Sequence, residues 1–355
     1  MAENENEKPL QPWLSDMPEG SFISTAPTYP LGKYFDRFEK DWFTASDGTK
    51  MKYYFFDPTK YGWPVREDLP ILIFFHGTSN GLEGDICINY TGAEMYASDE
   101  YQKVIGGAYI LIPVANEYRG EDGRVKGFWS QEYIEPTYEL IQSVIASRTK
   151  GVGLRFAFGN SSGARFTFRI ADAHPEGFDA LIPVGTADIS TDEKLDEFDE
   201  RDIYLLYAEG KRDEFYNFEK DVAPRLPKLR AMKHCTIFTP DWVYNGDGGI
   251  ASICPGYEMG QHCLMNEIQS NAMFDDGTPM DKETLPKGVT GWIAGVLAER
   301  TYDDLMTEGQ SPLVISRREA NWGLSLCHLF LAISKEKKYN ICNEGLRMLN
   351  ERLTY

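Results

Sequence analysis

LRFAFGNSSGARFTFRIADAHPEGFDALIPVGT, Leu154 to Thr186, decides how this chain folds. Leu154 to Phe158 is a short apolar run with aromatics, of strand length. Gly159-Asn160-Ser161-Ser162-Gly163 follows. Ala164 to Ala173 carries Phe166, Ile170 and Ala171 at helical spacing, and Phe178 to Val184 is a second buried-strand run. Strand, tight turn, helix and strand predict a βαβ unit with Gly-x-Ser-x-Gly at its turn. A serine on so sharp a turn has its hydroxyl lifted clear of the sheet. Side chains at the flanking positions would collide with neighbouring backbone, which suits Gly159 and Gly163. The Ser162 amide then opens the helix and can donate to an oxyanion, helped by the positive end of the helix dipole. Ser161 is therefore the candidate nucleophile, the alternative being a plain glycine-rich strand-to-helix turn.

Upstream, Phe38 to Ala45 and Met51 to Phe56 read as two strands around the turn Ser46-Asp47-Gly48-Thr49. Ile71 to Phe75 is a continuous apolar run ending in His76-Gly77-Thr78-Ser79-Asn80-Gly81. Tyr109 to Val114 is another buried strand. Pro136 to Ser147 is an amphipathic helix with Tyr138, Ile141, Val144 and Ile145 on one face. Downstream, Asp188 to Arg201 reads as an acidic connection too short for a large cap. Ile203 to Ala208 is a strand that leads into Glu209-Gly210-Lys211-Arg212-Asp213-Glu214. Tyr216 to Met232 is helical but broken at Pro224 and Pro227, and His234 to Phe238 is a strand. Asp241 to Glu258 is rich in glycine and aromatics and precedes Gly260-Gln261-His262-Cys263. Helical patterns follow over Thr290–Thr307, Arg318–Ser334 and Asn343–Arg352.

Strands alternating with helices predict an α/β fold: a mostly parallel, doubly wound sheet after an antiparallel start, with extra C-terminal helices. Residues 1–20 are expected to form a flexible arm, 21–310 the main domain, and 311–355 a helical extension packed on it. Those last helices either complete the outer layer or mediate a homodimer.

The 355 residues are 42% hydrophobic and 13% aromatic, enough for a substantial core. A net charge of −19 argues against a nucleic-acid partner, because phosphates would be repelled. No stretch of about eighteen apolar residues is present, so no membrane span is expected. The polar, acidic start lacks the apolar segment of a secretory signal. Six cysteines without a C-x-x-C pair suggest a reducing cytoplasm, with a Cys254–Cys263 pairing as the alternative in an exported protein. The histidines are too scattered for a metal cluster, and the glycine-rich turn lacks the G-x-G-x-x-G spacing of a dinucleotide site, so no cofactor is expected.

A serine nucleophile needs a base, an orienter for that base and an oxyanion hole. In a parallel sheet these gather at the carboxyl ends of strands. Asp213 stands at such an end and is the first choice of orienter, with Glu214 and Glu209 as alternatives. Of the five histidines, His174 ends the serine helix, His234 precedes a strand and His328 lies within a helix. His76 comes before the serine, leaving His262, in a loop after the last strand, as the base. His76-Gly77-Thr78 is the candidate oxyanion loop, with Gly77 and Thr78 beside Ser162 as donors. Loop aromatics, Trp129, Trp242 and Trp292 above all, with Phe128 and Tyr244, are candidates for contact with an aromatic or sugar-ester substrate, the alternative being ordinary packing.

HGTSNG after a strand, GNSSG between strand and helix, EGKRDEF after a strand and GQHC in a late loop together resemble an α/β-hydrolase. The serine unit looks most like the esterase branch that includes feruloyl (cinnamoyl) esterases and polyhydroxybutyrate-depolymerase-like enzymes. The resemblance covers about Phe38 to Ile293. It implies an α/β-hydrolase fold and a serine carboxylic-ester hydrolase with Ser161 as nucleophile, His262 as base and Asp213 as acid. It also implies oxyanion amides from Ser162 and from Gly77 or Thr78, and a small-molecule ester, hydroxycinnamoyl or acetyl, as substrate. The chain departs from the feruloyl esterases in having little insertion after the sixth strand, so a lid would come from Asp241–Glu258 or Phe274–Trp292. A peptidase or amidase of the same fold, and a non-catalytic binding protein, are the competing functions.

Overall fold

The apolar runs assemble into one eight-stranded sheet because most of them are apolar on both faces and need cover on both. The computed structural model describes residues 13–25, 31–252 and 260–307. The strands are β1 (Glu39–Thr44), β2 (Lys50–Phe56), β3 (Ile71–Phe75), β4 (Tyr109–Val114), β5 (Arg155–Asn160), β6 (Ala180–Val184), β7 (Tyr204–Ala208) and β8 (Cys235–Phe238). Their order is β1-β2-β4-β3-β5-β6-β7-β8. β2 pairs antiparallel with both β1 and β4, and every later pairing is parallel. Among the described residues β1 is an edge strand, paired on one side only. This order, with helices on both faces, is the α/β-hydrolase fold.

Side-chain alternation divides the core in two. Leu72 and Phe74 of β3, Phe156 and Phe158 of β5, and Leu206 of β7 face one layer. There they meet Tyr101 and Ile105 of α1 (Asp99–Ile105), and Val289, Ile293 and Val296 of the long helix Gly288–Thr307. Ile71, Ile73 and Phe75 of β3, with Ala157 and Leu205, face the other layer. Its cover is α2 (Ile134–Arg148), α3 (Ser162–Ala173), α4 (Asp192–Glu200) and α5 (Leu226–Ala231). α6 (Met265–Gln269) follows the candidate histidine, and α7 is Gly288–Thr307.

Two segments differ from the sequence reading. The acidic connection Asp188–Arg201 holds a full helix, α4. The Thr191 hydroxyl caps it by accepting from the Lys194 amide, and Leu195 and Phe198 are buried beneath it. The expected flexible arm is docked from Trp13 onward. Trp13 is 3% exposed, Leu14–Asp16 is a helical turn, and Ile23–Ser24 pairs in parallel with Ile250–Ala251. Acidic residues outnumber apolar ones in the first segment, and two-residue strands have no periodicity to read.

The chain divides into two compact units, Met1–Leu297 and Ala298–Tyr355. The helices expected over Arg318–Ser334 and Asn343–Arg352 lie outside the described residues. Cys87, Cys235 and Cys263 are free thiols, and Cys254 lies outside the described residues.

Candidate active site

The turn between β5 and α3 holds Ser161 at φ 54°, ψ −115°, a strained backbone for a residue with a side chain. Two close approaches hold it there. A Cβ on Gly159 would overlap the Gly163 carbonyl and the Thr167 hydroxyl, and a Cβ on Gly163 would overlap the Phe75 and His76 carbonyls. The strands and the helix can converge this tightly only because both positions are glycine. The Ser161 amide donates to the Val184 carbonyl, 2.9 Å, which ties the turn to β6.

Two strand ends and a late loop then meet. The Ser161 hydroxyl donates to His262 Nε2 at 2.9 Å, and His262 Nδ1 donates to Asp213 Oδ2 at 2.6 Å. This pair of bonds requires the neutral Nδ1–H tautomer. The other Asp213 oxygen accepts from the Phe215 and Tyr216 amides, 2.7 and 3.1 Å. Burial alone would raise the Asp213 carboxyl. The hydrogen bond and charge of His262, with the Phe215 amide and Glu209, instead bring it below its ordinary value.

Glu209 and Glu214, the alternative orienters, have different surroundings. Glu209 is fully buried, and among the described residues neither of its carboxyl oxygens has a hydrogen-bond partner in good geometry. Burial first, and then the Asp213 charge, raise it well above the carboxylate range. Both effects favour its protonated form, whose hydroxyl can donate to Asp213. Glu214 accepts from the backbone of the histidine loop, from Gln261 and His262, at 2.9 and 2.6 Å.

The His76–Asn80 loop runs past Asn160, the neighbour of the serine. A Cβ on Gly77 would sit 3.0 Å from Asn80 Oδ1 and 3.3 Å from Asn160 Nδ2. Glu117 braces the loop, accepting from the Ser79 and Gly81 amides at 3.0 and 2.9 Å. Burial raises Glu117 to about 6 against the pull of those amides. His76 is buried, accepts from the Ala115 amide on Nε2 at 3.1 Å and donates from Nδ1 to the Gly77 carbonyl at 2.8 Å. Burial lowers its pKa to about 4, so it stays neutral. Among the described residues the Thr78 amide donates to nothing. The Ser162 amide is the first of α3, one of the donors that a helix leaves without an intrahelical partner.

The three tryptophans expected to meet substrate are engaged elsewhere. Trp129 is buried, stacks on Phe166 and donates to the His76 carbonyl at 3.0 Å, so it supports the His76–Asn80 loop from behind. Trp242 is buried against Trp13 and Ile250, with the Arg212 guanidinium over its ring. Trp292 donates to the Thr236 hydroxyl on β8 and meets Phe156 edge-on. Instead, Phe215 lies over the His262 ring, centroids 4.5 Å apart, and is 61% exposed. Tyr90, also exposed, offers its carbonyl to Asn160. Sequence reasoning passed over Phe215 because it is one aromatic in a polar turn, and only the fold sets it against the histidine. Of the two candidate lids, Phe274–Trp292 places Leu285 and Val289 in the core, and residues 253–258 of the other lie outside the described residues. His174 bonds Glu135 and stacks on Tyr138, His234 lies beside Tyr204, and His328 is outside the described residues.

No family model and no curated protein matches the chain. Among solved structures it is similar to a thermostable esterase, at 18% identity and TM-score 0.45, over 59% of this chain and 56% of that one. The chain thus spans little more than half the length of that esterase. It is also similar to the siderophore hydrolase EstB from Aspergillus nidulans, at 13% identity and TM-score 0.44, over 71% of this chain and 99% of that one. A third is Est1E from Butyrivibrio proteoclasticus, at 14% identity and TM-score 0.41, over 65% and 95%.

Proposed function

We propose that the protein is a serine hydrolase that cleaves carboxylic esters through an acyl-enzyme. The observation that carries this reading is the continuous hydrogen-bond line from the strained Ser161 through His262 to Asp213. As Ser161 Oγ attacks the ester carbonyl, its proton passes to His262 Nε2. The imidazolium that forms is stabilised by Asp213, which stays ionised. The carbonyl oxygen gains the negative charge, and the amides of Ser162 and Thr78, or Gly77, are the donors available to it. Collapse breaks the bond to the alcohol, which takes the proton from His262 Nε2. Water then repeats the sequence on the acyl-serine and releases the acid.

The exposed Phe215 ring beside His262 supports an apolar or aromatic group on the substrate, and hydroxycinnamoyl esters fit that description. The test is to treat the protein and Ser161→Ala with a fluorophosphonate and to weigh both intact. One adduct on the parent and none on the variant is expected, with ester turnover reduced in the variant by about a thousandfold or more. Turnover retained in Ser161→Ala would sink the assignment. A panel of acetyl, feruloyl and amide substrates then ranks the acyl groups.

A further inference from the structure

Glu214 is adjacent to Asp213, yet it forms no ion pair among the described residues. It collects three N–H donors instead. Oε1 accepts from the Gln261 amide at 2.9 Å and from the Trp13 indole at 2.8 Å, and Oε2 accepts from the His262 amide at 2.6 Å. Bonds to an ionised acceptor are about twice as strong as those between neutral groups. Two consecutive residues therefore grip one histidine: Asp213 holds its ring and Glu214 holds its backbone.

The amino-terminal segment closes this arrangement from outside. Trp13 meets Trp242 edge-on, centroids 5.8 Å apart, and the Arg212 guanidinium lies 4.1 Å from the Trp242 ring centre. Further along, the Ile250 and Ser252 amides donate to the Phe22 and Ser24 carbonyls. The Gln261 side chain stitches the histidine loop to the Val243 and Ala251 backbone beside which this segment pairs, accepting from the Val243 amide and donating to the Val243 and Ala251 carbonyls. Residues 13–24 thus reach the histidine loop twice, once through Glu214 and once through the Ile250 strand.

We infer that Trp13 and Glu214 are positioning residues: the indole fixes the Glu214 carboxylate, and the carboxylate fixes His262 at the distance from Ser161 that proton transfer needs. The catalytic meaning of this brace rests on the hydrolase reading. Misplacing a catalytic group by about 1 Å can cost on the order of a hundredfold in rate.

Trp13→Phe keeps an aromatic ring but removes the N–H together with the five-membered half of the indole, which is why the double variant is needed to separate the bond from packing. Glu214→Gln keeps the shape and removes the charge. Two readouts are taken on the full chain: the rate and affinity constants of fluorophosphonate labelling, and hydrogen exchange of the peptide covering Gly260–Leu264. In Glu214→Gln the maximal labelling rate is expected to fall about tenfold or more, and in Trp13→Phe several-fold, with reagent affinity unchanged within about twofold. Loop exchange should quicken in both. The double variant should label no more slowly than Glu214→Gln alone, because the indole acts through the carboxylate. Unchanged loop exchange in both single variants overturns the brace. So do losses that multiply in the double variant, which would mark independent structural damage. A parent that takes no label while loop exchange still quickens in the variants overturns the hydrolase reading and leaves the brace standing. Should Glu214→Gln fail to fold, Trp13→Phe carries the exchange test by itself.

Discussion

A methyl group at Gly163 has nowhere to go. It would enter the space of the Phe75 and His76 carbonyls, which are backbone atoms and cannot swing aside like a flexible side chain. Gly163→Ala is expected to lose about 1–3 kcal/mol of stability, the usual cost of overpacking, and to lose labelling at Ser161 as the turn opens. Gly295 is the matched control. It lies in α7, nothing stands within 4 Å of its missing Cβ, and its backbone is ordinary. Gly295→Ala should gain roughly 0.5–1 kcal/mol. Urea unfolding of the two variants tests both numbers. The meeting of Ser161, Asp213 and His262 was legible in the sequence, since Ser161 and Asp213 follow apolar runs and His262, in a loop after the last strand, follows from chain order and elimination among five histidines. The tryptophans were not, since a loop position in the sequence does not reveal that Trp129 turns inward to the His76 carbonyl.

Among the elements, α6 carries the feature with the clearest consequence in solution. Glu267 is fully buried, accepts from the Tyr244 amide, and has its second oxygen without a partner among the described residues. Burial raises its pKa from 4.5 to about 8. The folded protein therefore holds a proton at neutral pH that the unfolded chain has released. This contribution to stability is full below about pH 4.5 and is lost as pH rises toward 8, at up to about 1.4 kcal/mol per pH unit. Glu267→Gln should flatten that slope, so that parent and variant diverge most at high pH. Urea midpoints taken between about pH 5 and 8.5 decide it, and parallel curves would refute the buried proton. The strands of the sheet were legible as elements, because continuous apolar runs need two covered faces. α4 was obscured by the excess of acidic residues that hides its two buried side chains, Leu195 and Phe198.

For the molecule as a whole, a net charge of −19 sets a field that any substrate must cross. An anionic ester is repelled on approach and a neutral one is not. Raising ionic strength from about 20 to 200 mM should increase kcat/KM for an anionic ester a few-fold and leave its neutral counterpart unchanged, as the field is screened. Equal salt responses for the two esters would place the charge away from the mouth of the site.

The edge strand β1 bears on a different hazard. An unpaired row of backbone donors and acceptors is a template on which another chain can add a strand. Along β1 that row is flanked by charge: Glu39 pairs with Lys60 and Arg148, Lys40 with Asp85, and Lys50 lies over the exposed Trp42 ring. A chain arriving to extend the sheet would have to strip these ions of their partners before making its first ladder bond. Among the described residues, this charged edge is the feature that opposes the addition of a further strand to β1.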